Sequence, residues 1–208
     1  MKLYVLFNTV DLERAVTVAQ TITEHADMIG IGSLLLYRYG TQAIETFRTA
    51  LPKATLIADS KVIERGADAA QVLFDAGADW ITVMAGTHRH VIQSATGVAR
   101  DRGRKVMIDL TDSAEPGQSA LDAQALDAHA ILFQSTFDEK DVLLFNEKFD
   151  MIRGNTQLPI FVSAHVDQEN AHFITALKPD GLVVGKHIAQ ATDPVAAVQA
   201  FHNLCHGG

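Results

Sequence analysis

The sequence predicts an α/β fold: one (β/α)8 TIM barrel domain spanning residues 1–208. Three observations carry this. Eight short apolar runs alternate strictly with eight amphipathic stretches, in units of roughly 25 residues. Most of the runs are near-continuous rather than alternating, as parallel strands covered on both faces are. Polar or small residues gather directly after them, at the strand ends where a barrel carries its chemistry.

In chain order, the first strand is Leu3–Phe7 and ends at Asn8. Asp11–Glu24 opens with an acidic N-cap candidate and keeps Leu12, Ala15, Val16, Ala19 and Ile22 on one face, which predicts a helix. Met28–Ile31 follows, with Gly30 and Gly32 at its end, then helix Thr41–Ala50. Strand Thr55–Ala58 leads to Asp59 and Lys61 and helix Arg65–Ala76; Trp80–Met84 leads to Ala85–Thr87 and helix His88–Asp101. Lys105–Ile108 ends at Asp109 and Thr111 before Ser119–Leu126, and Ala130–Phe133 ends at Gln134–Thr136 before Glu139–Arg153. Pro159–Val162 gives Ser163–His165 and helix Gln168–Leu177, and Gly181–Val184 gives Gly185–His187. The last helix, Asp193–Cys205, starts with a cap followed by proline at its first turn. An open doubly wound sheet is the competing arrangement, but its first turn carries a Gly-rich phosphate fingerprint, and here that turn is Asn8-Thr9-Val10-Asp11.

With 208 residues, 48% hydrophobic and 20% charged, the chain has ample material for a core. A net charge of −8 gives a nucleic-acid partner no electrostatic help. One cysteine, Cys205, cannot form an internal disulfide, and the chain opens on Lys2-Leu3-Tyr4-Val5-Leu6-Phe7 without a signal-peptide pattern. No apolar run is long enough to span a bilayer, so the expectation is a cytoplasmic protein without a membrane partner.

The stretch with the most chemistry is Asp59-Ser60-Lys61-Val62-Ile63-Glu64. Residues two apart in extended backbone project to the same side, so Asp59 and Lys61 face one mouth, with Asp109 on the fifth strand end. A lysine beside a carboxylate stays protonated and can hydrogen-bond a developing negative charge or hand over a proton. An exposed ion pair is the competing reading, and such a pair contributes little. Barrels often hold phosphate with the loops after strands seven and eight; here those are Ser163-Ala164-His165 and Gly185-Lys186-His187, where Gly185 permits close backbone approach and Lys186 adds charge. His88-Arg89-His90 has metal-pair spacing only if extended, and reads better as a helix start. Cys205 is not proposed as a nucleophile, and Trp80 and His129 read as structural.

Ala58-Asp59-Ser60-Lys61-Val62-Ile63-Glu64 resembles the Asp-x-Lys-x-x-Asp motif of the orotidine 5′-phosphate decarboxylase superfamily. Within it the chain looks like the 3-hexulose-6-phosphate synthase and 3-keto-L-gulonate-6-phosphate decarboxylase branches. Asp27–Gly32, Ala76–Val83, Val106–Asp109 and Pro179–Gly185 extend the likeness along the whole chain. The resemblance implies a homodimer with active sites at the subunit interface, a phosphorylated sugar substrate, no organic cofactor, and a magnesium ion steadying an enediolate. It makes Asp59 a metal ligand and hydrogen-bond partner, Lys61 the group that stabilises or protonates the enediolate, Asp109 the fifth-strand acid, and Glu64 the acid that reaches the partner's site. Asn8, Gln134, Ser163, Ala164, Gly185 and Lys186 are the expected substrate- and phosphate-binding positions.

The departures are specific. Asn8 stands where the superfamily has Asp, Gly30 where it has a metal-binding Glu, Gln134 where it has a proton-handling His, and Phe137 at an aromatic or basic position. Ser163-Ala164 replaces Gly-Gly, and Lys186 replaces Arg. Loss of the Glu removes a hard oxygen ligand and weakens magnesium; loss of the His removes the group suited to proton transfer at neutral pH. Three readings stay open: a carbon–carbon lyase adding formaldehyde to ribulose 5-phosphate through an enediolate, a decarboxylase or related sugar-phosphate enzyme, and a catalytically degenerate phosphate-ligand binder. Asp109 and Phe137 favour the synthase branch.

Overall fold

In a computed structural model of the chain, which describes residues 1–134 and 142–207, eight parallel strands pair in chain order and close on themselves. They are β1 (Lys2–Phe7), β2 (Met28–Ile31), β3 (Leu56–Val62), β4 (Trp80–Met84), β5 (Lys105–Asp109), β6 (Ala130–Gln134), β7 (Ile160–Ser163) and β8 (Gly181–Val184), and β8 pairs back onto β1 through Lys2–Val5. The expected (β/α)8 barrel is the fold.

The outer layer contains the expected helices: α1 (Leu12–Ile22), α3 (Thr41–Ala50), α4 (Gly66–Asp75), α5 (Arg89–Asp101), α6 (Pro116–Ala125), α7 (Val142–Asn155), α8 (Ala171–Ala176) and α10 (Pro194–His206). Two short helices were not expected, α2 (Ser33–Tyr39) after β2 and α9 (Lys186–Ala189) after β8. Asp11 and Asp193 cap α1 and α10 by accepting the amides of Arg14 and Ala196, each at 3.0 Å. Ser135, Thr136, Phe137 and the first residues of the expected helix Glu139–Arg153 lie outside the described residues. No helix among the described residues is long and apolar enough to cross a membrane.

Alternation sorts each strand into two cores. Outward side chains pack under the helices. Inward ones, including Tyr4, Met28, Ile57, Trp80, Met107, Leu132, Phe161 and Val183, fill the barrel. Two glycines make room for aromatic rings there: a β-carbon on Gly181 would stand 2.2 Å from Phe161 Cδ1, and one on Gly30 2.2 Å from Tyr4 Cε2.

The N-terminal rim is stitched by a repeated device. The residue before each even strand accepts an amide from the odd strand beside it: Asp27 from Leu3 at 2.7 Å, Asp79 from Leu56 at 2.9 Å, and Asp180 from Ile160 at 2.9 Å. His129 does the same for Val106 through Nδ1, at 3.2 Å. Burial and then Lys105 push the His129 pKa down, which keeps the ring neutral and able to accept. The acids in the Ala78-Asp79-Trp80 and Pro179-Asp180-Gly181 stretches are therefore structural, and chemistry is left to the opposite rim.

Candidate active site

At the C-terminal rim, β3 departs from regular pairing. Its register moves from Ala58 opposite Ile81 to Val62 opposite Val83, so four steps on β3 match two on β4. Lys61 sits in this bulge with φ +48°, in the left-handed region, not in the extended backbone expected from the sequence. Thr82 holds the bulge together. Its hydroxyl accepts the Lys61 amide at 2.9 Å and donates to Asp59 Oδ1 at 3.1 Å, and its carbonyl accepts from Ser60 Oγ at 3.0 Å.

The Lys61 amine still meets the acids. Nζ lies 3.4 Å from Asp59 Oδ1, hydrogen-bonds Asp109 Oδ2, and stands 3.5 Å from Gln134 Oε1. Asp109 is fully buried, and its other oxygen accepts the Thr111 amide at 2.9 Å and the Thr111 hydroxyl. Asp59 is 4% exposed. Burial raises the Asp59 pKa, with Asp109 adding to the rise and Lys61 and Thr82 opposing it. Burial alone would lower Lys61, but Asp59 and Asp109 outweigh it and hold the ammonium above its ordinary value. The cluster is a protonated amine caged by two buried carboxylates, one of them made more basic than usual by its surroundings.

Gln134 connects this cluster to the other side of the mouth. Its Oε1 also stands 3.1 Å from the Thr111 hydroxyl oxygen, and the side chain lines a cavity of about 160 Å³ with Leu6, Ser163, His165, Gly185 and Lys186. A neighbouring cavity of about 160 Å³ runs between β1 and β8, lined by Asn8, Asp11, Arg14, Gly185 and Lys186. Asn8 Oδ1 accepts the Leu34 amide at 3.1 Å, so it also anchors the start of α2. Ala164 is buried with its side chain in the outer core, and the exposed residue there is His165, in the left-handed region at φ +51°.

Glu64 stands apart. It is exposed beyond β3 and, among the described residues, makes no hydrogen bond or ion pair within its own chain. It lines an open cavity of about 600 Å³ with Tyr37, Ile63, Arg65 and Val72. His88 occupies the N-cap position of α5 without a side-chain capping bond and Arg89 pairs with Asp122 at 2.6 Å, so this stretch is the helix start expected. Sequence reasoning missed Thr82, Tyr4 and Arg14: the first two depend on cross-strand register, and Arg14 depends on the closure of β1 onto β8 that brings it to one cavity with Gly185 and Lys186.

The residues do not fit the magnesium that the resemblance implies. Gly30 offers no side-chain oxygen, Tyr4 fills the space a side chain there would enter, and Asp59 and Asp109 already share Lys61. Among the described residues, no group of three or more His, Cys, Asp or Glu is placed to hold a metal ion.

The whole chain has known relatives. It is 26% identical over 200 residues to 3-hexulose-6-phosphate synthase of Mycobacterium gastri, covering 96% of this chain and 97% of that one. It is 24% identical over 209 residues to 3-keto-L-gulonate-6-phosphate decarboxylase of Escherichia coli, covering 96% and 94%. A crystal structure of 3-hexulose-6-phosphate synthase superposes with a TM-score of 0.88 at 25% identity, over 97% of this chain and 98% of that one. The profile that matches, over residues 1–201, is described as the orotidine 5′-phosphate decarboxylase / HUMPS family. Both the barrel and the Asp59–Lys61 strand end lie inside that match, and the chain belongs to this family.

Proposed function

We propose that the chain is a carbon–carbon lyase acting on a phosphorylated ketose, adding formaldehyde to ribulose 5-phosphate as a 3-hexulose-6-phosphate synthase does. The observation that carries this reading is the placement of Gln134. It reaches towards the Lys61 amine at one end of the mouth and lines the Gly185–Lys186 cavity at the other. A ligand seated along it has its phosphate by Lys186 and its reacting carbons by Lys61.

In this reading the C1 proton of the ketose passes to Asp59, whose burial makes it a stronger base than an exposed carboxylate. The Lys61 ammonium hydrogen-bonds the enediolate oxygen as its charge develops. C1 attacks the formaldehyde carbon, the carbonyl electron pair moves to oxygen, and that oxygen takes the proton back from Asp59.

Full-length likeness to the named synthases supports the substrate class. The working form is a homodimer. Tyr37, Ile63 and Val72 are large apolar side chains left exposed around Glu64, and a second copy covering them brings Glu64 to the neighbouring mouth. The second reading is a phosphate-ligand binder without turnover, which Gln134 favours because an amide cannot carry a proton at neutral pH.

The test is incubation with ribulose 5-phosphate and formaldehyde, following ketose consumption and hexulose 6-phosphate formation. The expected result is product that requires Lys61. Carbon dioxide released from 3-keto-L-gulonate 6-phosphate instead moves the chain to the decarboxylase branch. Thermal stabilisation by ribulose 5-phosphate with no product in either assay selects the binder.

A further inference from the structure

Inside the barrel, a position on β2 is closed by a side chain from β1. Residue 30 faces inward, opposite Leu6 in the β1–β2 register, and it is glycine. The Tyr4 ring lies over it: a β-carbon there would stand 2.2 Å from Cε2, 2.6 Å from the hydroxyl and 2.8 Å from Cζ. Tyr4 cannot easily yield, because it is buried and set edge-on against Phe161, whose own ring is seated over Gly181. So β2 offers no carboxylate to the mouth, and a small side chain introduced at residue 30 meets an aromatic wall.

The group that closes the position is neutral. The Tyr4 hydroxyl is buried with no hydrogen-bond partner among the described residues. Burial, then Asp59, then Asp109 push its pKa well above the ordinary tyrosine value, so it stays an O–H and supplies no anionic oxygen. The negative charge near it belongs to Asp59 and Asp109, and one amine answers both. Asp109 commits its other oxygen to Thr111, and Asp59 Oδ1 also takes the Thr82 hydroxyl. A hard divalent cation prefers about six oxygen ligands in open, regular geometry. Here it would have to displace an ammonium from between two buried acids, with no further acid beside them among the described residues.

We propose that the Lys61 ammonium takes the place of a divalent cation in this site, and that Tyr4 over Gly30 has closed the position from which β2 could have supplied a further ligand. The mouth is thus an ammonium-based electrophile for an oxyanion-forming reaction, distinct in its charge source from a metal-centred one. This deepens the lyase reading and takes its chemical meaning from it, but its test does not depend on turnover.

The probe is Mn²⁺ alone, titrated into the full chain and followed by the electron paramagnetic resonance of the free ion. The unaltered protein is expected to show no saturable site at millimolar Mn²⁺. Lys61→Ala and Lys61→Asn, the latter suited to a left-handed backbone, leave the two acids unanswered. Each is expected to gain Mn²⁺ affinity by about tenfold or more, or roughly 1.4 kcal/mol, with circular dichroism reporting that the barrel is intact. A saturable site in the unaltered protein that disappears in Asp59→Asn overturns the proposal. So does the absence of any gain in a folded Lys61 variant. If no aldol product forms while Mn²⁺ binding behaves as expected, the lyase reading fails and this inference stands.

Discussion

The two sides of the barrel mouth treat charge in opposite ways. On the β3–β5 side the charges are answered within the chain. Lys61 serves Asp59 and Asp109, Thr111 takes the remaining Asp109 oxygen, and Thr82 fixes Asp59 and the Lys61 backbone together. On the β7–β8–β1 side, Arg14 and Lys186 line one cavity, and neither makes an ion pair among the described residues. A caged ion pair is costly to bury and worth building only where geometry matters. Two such cations lining one cavity suit an anionic ligand, although the Asp11 carboxylate shares the lining. Under the proposed lyase reading, chemistry falls to the closed side and affinity to the open side, and each half of that reading can be broken separately.

The largest effect is expected from Lys61→Ala. Removing a group that both stabilises developing charge and sits by the proton path lowers kcat by roughly 10²- to 10⁴-fold. It also leaves Asp59 and Asp109 repelling one another in a buried setting, at a cost of about 2 kcal/mol, discounted from the usual figure because the Lys61 side chain is 24% exposed. The thermal shift produced by ribulose 5-phosphate should survive nearly intact. If the ligand no longer stabilises the variant, Lys61 is part of the affinity side and the division collapses.

Lys186→Ala probes the opposite assignment. Losing one charge-assisted hydrogen bond to a phosphate is worth about 1.5–3 kcal/mol, so the KM for ribulose 5-phosphate should rise roughly 10- to 100-fold. Inhibition by inorganic phosphate should weaken in parallel, and kcat should stay within about twofold, as for interactions shared by ground and transition states. A kcat that falls as far as KM rises would make Lys186 part of the chemistry.

How much of this was legible beforehand follows the same divide. The eight strands could be read because each is a local apolar run, and the Asp59–Lys61 pair because its members are two residues apart. The α2 and α9 turns escaped because they are short and follow Gly32 and Gly185, which read as loop. The left-handed Lys61 was invisible because nothing in its side chain announces a bulge; the bulge is a mismatch between two strands. The same holds for Tyr4 over Gly30. The glycine could be read as a missing ligand, but its filling by a side chain 26 residues earlier needs the β1–β2 register. The open side was legible as composition, Gly185 and Lys186 after an apolar strand, while Arg14 needed the closed barrel to bring β1 beside β8.

The smallest expected effect is a displacement of the acid edge of stability, and it separates the closed side from an ordinary surface ion pair. Asp59 has a raised pKa in the folded chain, so between the ordinary and raised values the folded state binds more protons than the unfolded one. The stability slope depends on protons bound unfolded minus folded, which is negative there, so this acid costs stability as pH rises through that window. Lys61 is also raised, so its contribution is fully present below its ordinary pKa of about 10.4 and is lost as pH climbs through the higher folded value. Between the two windows neither group changes its protonation on unfolding, and their joint contribution is flat through neutral pH. Lys61→Ala removes the opposing influence on Asp59, so the acid window must widen upward. The difference in urea midpoint between variant and unaltered chain should therefore grow as pH rises from about 4 towards neutrality, then level off. A difference independent of pH from acid to neutral would mean that Asp59 does not feel the amine, and the caged cluster would be no more than two acids and a lysine sharing a rim.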